Sequence, residues 1–316
     1  LGLGANSFAV EVASNDGYLL QHFVAKGIPV LGIEPAANVA KAAEAKNVPT
    51  LVEFFGRECA RRLASEGKQA DLIMGNNVLA QVHDINDFVG GLKILLKDGG
   101  VVTIEFPHLL RLVAENQFDT IYHEHFSYFS FLSATTIFAA HGLRLFDVEE
   151  LPTHGGSLRI FACHQDDPRP TTKRATDLLG LEEAEGFRDL ASYGAFQERV
   201  DDTKHRLLEF LIQARRDGKS VAGYGAPGKG NTLLNYCGIR TDLLEYTVDR
   251  NPYKHGRFLP GTHIPIYTPD RIAETKPDYL LILPWNLRDE IMKQNAFIRE
   301  WGGQFVVPIP EVRVLP

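Results

Sequence analysis

Leu143-Arg-Leu-Phe-Asp-Val-Glu-Glu-Leu-Pro-Thr-His-Gly-Gly-Ser-Leu-Arg-Ile-Phe-Ala-Cys-His164 is the stretch that decides the fold. Two strand-like runs, 143–149 and 157–164, flank a short Pro-Thr-His-Gly-Gly turn. A parallel pair needs a crossover of about a dozen residues or more, so these two strands pair antiparallel. Everything before them alternates. Strands are expected over 8–13, 29–33, 50–54, 71–75 and 101–105, with helices over 18–25, 38–46, 87–96 and 134–141, and Gly99-Gly100 turns the chain into the 101–105 strand. This βαβ rhythm predicts a mostly parallel sheet covered on both faces, closed here by an antiparallel pair. Behind it, 168–172 reads as a linker and 172–216 as polar helix. A second βαβ unit then follows, with a strand over 220–225, a helix over 229–236 and strands over 244–248, 279–283 and 304–307. The chain divides on this basis into 1–167 and 168–316.

Composition narrows the function classes. The 316 residues are 44% hydrophobic and carry a formal net charge of -7, which suits a globular protein and argues against a nucleic-acid partner. Cys59, Cys163 and Cys237 lie far apart with no Cys-x-x-Cys pair, so neither a disulfide framework nor a zinc ribbon is expected. They read as reduced thiols of a cytoplasmic protein. No apolar run approaches the ~20 residues of a membrane span. A monomer or weak homo-oligomer is expected. The sequence starts at Leu1, almost directly before a strand, and a preceding segment is expected.

Glu11-Val-Ala-Ser-Asn-Asp-Gly17 joins the first strand to the first helix. It fits the methyltransferase pattern E-x-G-x-G-x-G, with Ala13 and Asn15 at the first two glycine positions. Such a loop must turn tightly so that its backbone approaches a cofactor at a helix N-terminus. Asn tolerates left-handed backbone better than most residues. Ala13, Ser14, Asn15 and Gly17 are therefore candidate cofactor-binding residues. Glu34 ends the second strand, where a carboxylate accepts both ribose hydroxyls, though an NAD enzyme uses the same acid and a solvated strand end is the bland alternative. Asn76 and Asn77 follow the next strand at the carboxyl edge, where α/β sheets bind ligands; a turn is their alternative role.

Ile121-Tyr-His-Glu-His-Phe-Ser-Tyr128 gathers two histidines, a carboxylate and two tyrosines above the same edge. Acid–base chemistry suits it, since histidine titrates near neutrality and tyrosine donates to an oxyanion. A His-x-His metal site and a purely structural loop are the competing readings. Thr153-His-Gly-Gly-Ser-Leu-Arg159 offers Ser157 and Arg159 to an anionic group, or merely turns a hairpin. Gly223-Tyr-Gly-Ala-Pro-Gly-Lys-Gly-Asn231 fits G-x-x-x-x-G-K without the following hydroxyl, which argues against an ATPase. Lys229 and Asn231 still suit the diphosphate of a nucleotide-linked substrate. The alternative is a fold remnant with a packing role.

Taken in order, Glu11-Val-Ala-Ser-Asn-Asp-Gly-Tyr-Leu-Leu20, Tyr122-His-Glu-His125, His154-Gly-Gly-Ser-Leu-Arg159 and Gly223-Tyr-Gly-Ala-Pro-Gly-Lys-Gly-Asn231 resemble the S-adenosylmethionine (SAM)-dependent C-methyltransferases of nucleotide-linked deoxysugars, across essentially the whole chain. The resemblance implies a class I methyltransferase Rossmann-like sheet with an antiparallel final strand, followed by a second, smaller Rossmann-like α/β domain. It also implies an N-terminal zinc-binding domain, outside this sequence, that helps to bind the sugar nucleotide. SAM is the implied cofactor, with no metal at the reaction centre. A dTDP-4-keto-deoxysugar methylated beside its ketone is the implied substrate type. His125 is then the expected general base, with Tyr122 and Glu124 orienting the sugar or supporting an enolate oxygen. The alternatives are a different acceptor, an NAD-dependent oxidoreductase and a non-catalytic sugar-nucleotide binder. The antiparallel closure argues against the oxidoreductase, and the dense Tyr-His-Glu-His loop against the binder.

Overall fold

The computed structural model describes all 316 residues, which pack as two compact units. Leu1–Leu110 and Glu124–Asp189 form the first; Arg111–His123 and Leu190–Pro316 form the second. This division by packing differs from the linear one at 167/168 in two places. Residues 111–123 leave for the second unit, and the helix Lys173–Ala184 stays with the first.

The first unit runs β1 (Ala9–Val12), α1 (Leu20–Val24), β2 (Val30–Ile33), α2 (Ala37–Glu44), β3 (Thr50–Leu51), α3 (Arg57–Ser65), β4 (Ala70–Asn76), α4 (Ile85–Leu95) and β5 (Leu96–Pro107). The helix α5 (Leu109–Ala114) carries the chain away. After its return come α6 (Phe131–Ala140), β6 (Leu143–Leu151), β7 (Ser157–His164) and α7 (Lys173–Ala184). The strand order is β3-β2-β1-β4-β5-β7-β6. Pairs from β3 to β5 are parallel; β5–β7 and β7–β6 are antiparallel. The expected closing hairpin is present, and β7 lies inside β6, so that Arg159 faces Glu105 on one side and Glu149 on the other.

Two local expectations need correction. Gly99-Gly100 lies within β5 at a shift of register against β4, with Gly99 left-handed at φ 75°, so the glycines make a bulge rather than a turn that starts the strand. The helix α3 was not anticipated; its many charges hide a narrow apolar stripe of Cys59, Ala60 and Leu63 that is buried in the core.

Helix starts follow local chemistry. Asp84 accepts the Asn86 and Asp87 N–H groups, both at 2.9 Å, and so caps α4. Ser130 and Ser133 cap α6 reciprocally. Glu182, with 0% exposure, accepts from Phe131 N at 2.8 Å and Leu132 N at 2.7 Å and lies 2.6 Å from His108 Nε2. That buried carboxyl group fastens α7 to the first unit.

The second unit contains α8 (Gly194–Arg216), β8 (Val221–Tyr224), α9 (Gly228–Cys237), β9 (Thr247–Val248), β10 (Ile266–Tyr267), α10 (Arg271–Thr275), β11 (Tyr279–Ile282), α11 (Arg288–Gln294), β12 (Gln304–Val307) and β13 (Arg313–Leu315). Its order, β10-β9-β8-β11-β12-β13, reverses direction between β8 and β11, as in dinucleotide-binding folds. Only β13, which has no counterpart in the sequence reading, pairs antiparallel. The three cysteines are buried free thiols, and burial pushes Cys59 up to about 11 and Cys237 up to about 12.

Candidate active site

The chain leaves β1 through three left-handed residues, Ala13 (φ 57°), Asn15 (φ 53°) and Gly17 (φ 73°). Alternation of this kind is what the glycine pattern normally permits, and Ala13 adopts it with a Cβ in place. Neighbouring strand ends hold the loop. Ala13 N donates to Ile33 O at 2.8 Å, and Asn15 N donates to Glu34 Oε2 at 3.2 Å. Glu34 Oε1 accepts from Ala36 N at 2.9 Å. Each carboxylate oxygen has a further lone pair, so Glu34 can brace the loop and accept a ribose hydroxyl together.

A cavity of about 630 Å³ opens at the carboxyl ends of β1, β2 and β4, within the ~300–1,000 Å³ usual for small-molecule sites. Ala13, Asn15, Glu34, Asn76 and Asn77 line it, as a cofactor role requires. Ser14 and Gly17 do not. Ser14 has 0% exposure and packs under the loop, so close to Gly32 that a Cβ on that glycine would fall 2.4 Å from Ser14 Oγ. Gly17 turns the chain against Ala43 and Val48, which would lie 3.1 Å from a Cβ there. Both shape the loop from behind.

The sequence reading missed several lining residues. Tyr18, directly after the loop, hydrogen-bonds Asn76. Burial and then the Glu11 carboxylate push its phenol up. Phe54 lines the cavity with 81% of its surface exposed, a position with no packing reason for an aromatic ring. Glu53, Asp84 and Asp87 join Glu34 on the wall, which holds no lysine or arginine. Glu53 is paired with Arg62, but Glu34, Asp84 and Asp87 have no basic side chain beside them on this wall, which suits a cation such as SAM and opposes the diphosphate of NAD.

Two buried acceptors near this edge lack partners, Glu11 Oε2 and Asn77 Oδ1. Glu11 is 1% exposed, and burial pushes its carboxyl up to about 8. The residues present fit a polar, cationic cofactor: the volume, the acid wall, the left-handed loop and the unpartnered Asn77 Oδ1 all agree.

The loop Glu124–Tyr128 is tied to the wall of this cavity. Phe126 N donates to Ala80 O at 2.8 Å. The Phe126 ring lies 4.1 Å, centroid to centroid, from His83, which itself lines the cavity. The rings of His125 and Tyr128 meet edge-on at 5.7 Å. His125 directly precedes Phe126 in this loop, and neither it nor Glu124 lines the cavity. Tyr122 is the penultimate residue of the segment Arg111–His123 and belongs to the second unit. No group of three or more His, Cys, Asp or Glu side chains is placed to hold a metal.

Arg159 donates to Glu105 Oε2 at 3.0 Å and Glu149 Oε2 at 3.3 Å, and keeps 38% of its side chain exposed. Ser157 is buried and donates to Thr153 O at 3.1 Å, inside the hairpin turn. Asn77 Nδ2 lies 3.3 Å from His154 Nε2, which connects that turn to the cavity wall. In the second unit, Lys229 Nζ donates to Asn286 Oδ1 at 2.9 Å and sits 4.5 Å from the Trp285 ring centroid. Asn231 Oδ1 is buried without a partner.

Comparison with known proteins identifies the family. Residues 6–148 match the methyltransferase-domain family, and residues 152–310 match the C-methyltransferase C-terminal domain family. The C-methyltransferase NovU of Streptomyces niveus is 38% identical over 315 residues, covering 100% of this chain and 75% of that protein. Among solved structures, the magnesium protoporphyrin IX methyltransferase of Synechocystis PCC 6803 with bound SAH is 14% identical with a TM-score of 0.41, covering 51% of this chain and 74% of that one. A SAM-dependent methyltransferase of Clostridium acetobutylicum is 10% identical with a TM-score of 0.39, covering 50% and 85%. Matched along both halves by family models and over its whole length by a relative, the chain belongs to the SAM-dependent C-methyltransferases.

Proposed function

We propose that this enzyme methylates a nucleotide-linked 4-keto-deoxysugar at the carbon beside the ketone, through an enolate. The observation that supports the reading is that Phe126, the residue after His125, is attached to the wall of the acid-lined cavity through Ala80 O and the His83 ring. Ala13, Asn15, Glu34, Asn76 and Asn77 hold SAM, with Tyr18 and Phe54 added to them. SAM supplies an electrophilic methyl group on a sulfonium. His125 takes the proton from the carbon next to the ketone, a step worth ~10²–10⁴-fold for a positioned base. Glu124 accepts from a sugar hydroxyl and orients the ring, and the Tyr122 hydroxyl donates to the developing enolate oxygen, about 3 kcal/mol for one well-aimed donor. Arg159, still partly exposed between its two acids, and Asn231, with its free acceptor, are the acceptor-contacting candidates. Ser157 and Lys229 are each engaged with a protein group, Thr153 O and Asn286 Oδ1.

The test is incubation of the full chain with SAM and a panel of acceptors that includes a thymidine-diphosphate-linked 4-keto-6-deoxyhexose. A new carbon–methyl bond on that sugar supports the reading. Transfer only to oxygen or nitrogen acceptors refutes the enolate route while leaving the cofactor assignment intact.

A further inference from the structure

The second unit has the strand order of a dinucleotide-binding fold, a glycine-rich loop after its first strand and an acid, Asp249, after its second. Those parts are turned inward. Ala226 N of the loop donates to Asp249 Oδ2 at 2.8 Å, and Lys254 Nζ bridges Ala226 O at 3.0 Å and Asp249 Oδ2 at 3.1 Å. The acid that would meet a ribose therefore ties down the loop. Gly225 and Gly230 let the loop and α9 sit directly on the chain after β11: a Cβ on Gly225 would fall 2.6 Å from Pro284, and one on Gly230 would fall 2.7 Å from Leu283. Lys229, at the start of α9, lies over the Trp285 indole.

The partner at this place is the chain's own segment 111–123. Trp285 Nε1 donates to Asp119 Oδ2 at 2.7 Å, and Asp119 has 0% exposure. Phe118 is buried in the core of the second unit and meets the Tyr236 ring of α9 at 5.3 Å. Asn116 Nδ2 donates to Thr203 Oγ1 at 2.7 Å and Arg199 O at 3.1 Å, and Arg199 donates to Val113 O at 2.7 Å. A segment carrying so many polar groups is not an ordinary core element, yet each of these residues has a specific anchor. Three residues beyond Asp119 comes Tyr122.

We propose that Lys229, Trp285 and Asp119 form a clamp in which the chain's own carboxyl group occupies the dinucleotide-like crevice, and that the clamp positions the segment carrying Tyr122. Lys229 and Trp285 are then positioning residues, not contacts to the substrate's diphosphate. The functional part of this inference rests on the reading of Tyr122 given above; the clamp itself does not.

Hydrogen–deuterium exchange of the 111–123 amides and steady-state turnover, both on the full chain, test it. Trp285→Phe keeps a ring and removes the N–H donor. Loss of one buried hydrogen bond to a carboxyl group predicts exchange about tenfold faster in this segment. The kcat with the thymidine-diphosphate-linked 4-keto-6-deoxyhexose falls by a similar factor, while the KM for SAM stays the same. Lys229→Met, which leaves both rings in place, gives the same pattern if Trp285→Phe does not fold, and Lys229→Arg restores most of the loss. Binding of thymidine diphosphate, used as a probe, is unchanged in every variant. Unchanged exchange at 111–123 overturns the clamp. So does weaker thymidine diphosphate binding by Lys229→Met with normal exchange, which would return Lys229 to phosphate contact. Faster exchange with unchanged kcat overturns the positioning role. Tyr122→Phe is the control: if it turns over normally, the reading of Tyr122 fails and the clamp stands or falls on exchange.

Discussion

Replacing Glu11 with glutamine should stabilise the protein, and by an amount that grows with pH. Glu11 lies 1% exposed under the cofactor loop, Oε2 has no partner, and burial raises the carboxyl from 4.5 to about 8. The folded state therefore holds a proton that the unfolded chain has released. Stability from this group is complete below the unfolded value of 4.5 and is lost as pH rises towards 8, at about 1.4 kcal/mol per unit. The loss is below about 1 kcal/mol at pH 5, about 3 kcal/mol at pH 7 and about 5 kcal/mol above the folded value. Glutamine does not titrate and is nearly the same shape, so Glu11→Gln escapes this loss. Urea unfolding followed by far-ultraviolet circular dichroism, at several pH values, measures the gap between the two proteins. A gap that widens steadily from pH 5 to pH 8 is expected. A constant gap, or a variant less stable at pH 8, would show that Glu11 is charged or has a partner, and the argument from burial would be wrong.

Ala13→Gly should relieve a left-handed alanine, worth about 1 kcal/mol, less about half that for the freer unfolded chain; a rise of about 1–2 °C in melting temperature is expected, and a fall would place the strain elsewhere. Phe54→Ala should weaken SAM binding about three- to tenfold by calorimetry, the usual worth of an aromatic stack, because this exposed ring is free to cover a purine. Glu182→Ala should cost about 3 kcal/mol or more in urea unfolding, since it strands two N–H groups at the start of α6 and the buried His108.

Much of this architecture was legible in the chain. The short turn before Ser157 forces antiparallel closure, and the loop from Glu11 to Gly17 announces a cofactor turn even with Ala13 and Asn15 in place of glycine. The cavity-lining residues at strand ends were legible because a parallel sheet places its ligands there. What stayed hidden depends on contacts distant in sequence. Nothing local in 111–123 says that Phe118 and Asp119 will be buried in another unit. The pattern around Lys229 specifies a loop but not the Trp285 ring under its ammonium. Ser14 and Gly17 match the motif as residue types, and only packing shows that they face away from the cavity. Phe54 and His83 carry no motif; exposure beside a cavity is their only mark.

The most direct measurement is wash-in of deuterium from heavy water at the carbon beside the ketone of a thymidine-diphosphate-linked 4-keto-6-deoxyhexose, comparing the native chain with His125→Asn. Proton abstraction by His125 predicts exchange in the native chain and its loss in the variant, with SAM affinity unchanged. Undiminished exchange in the variant would assign the base to another group and contradict the account.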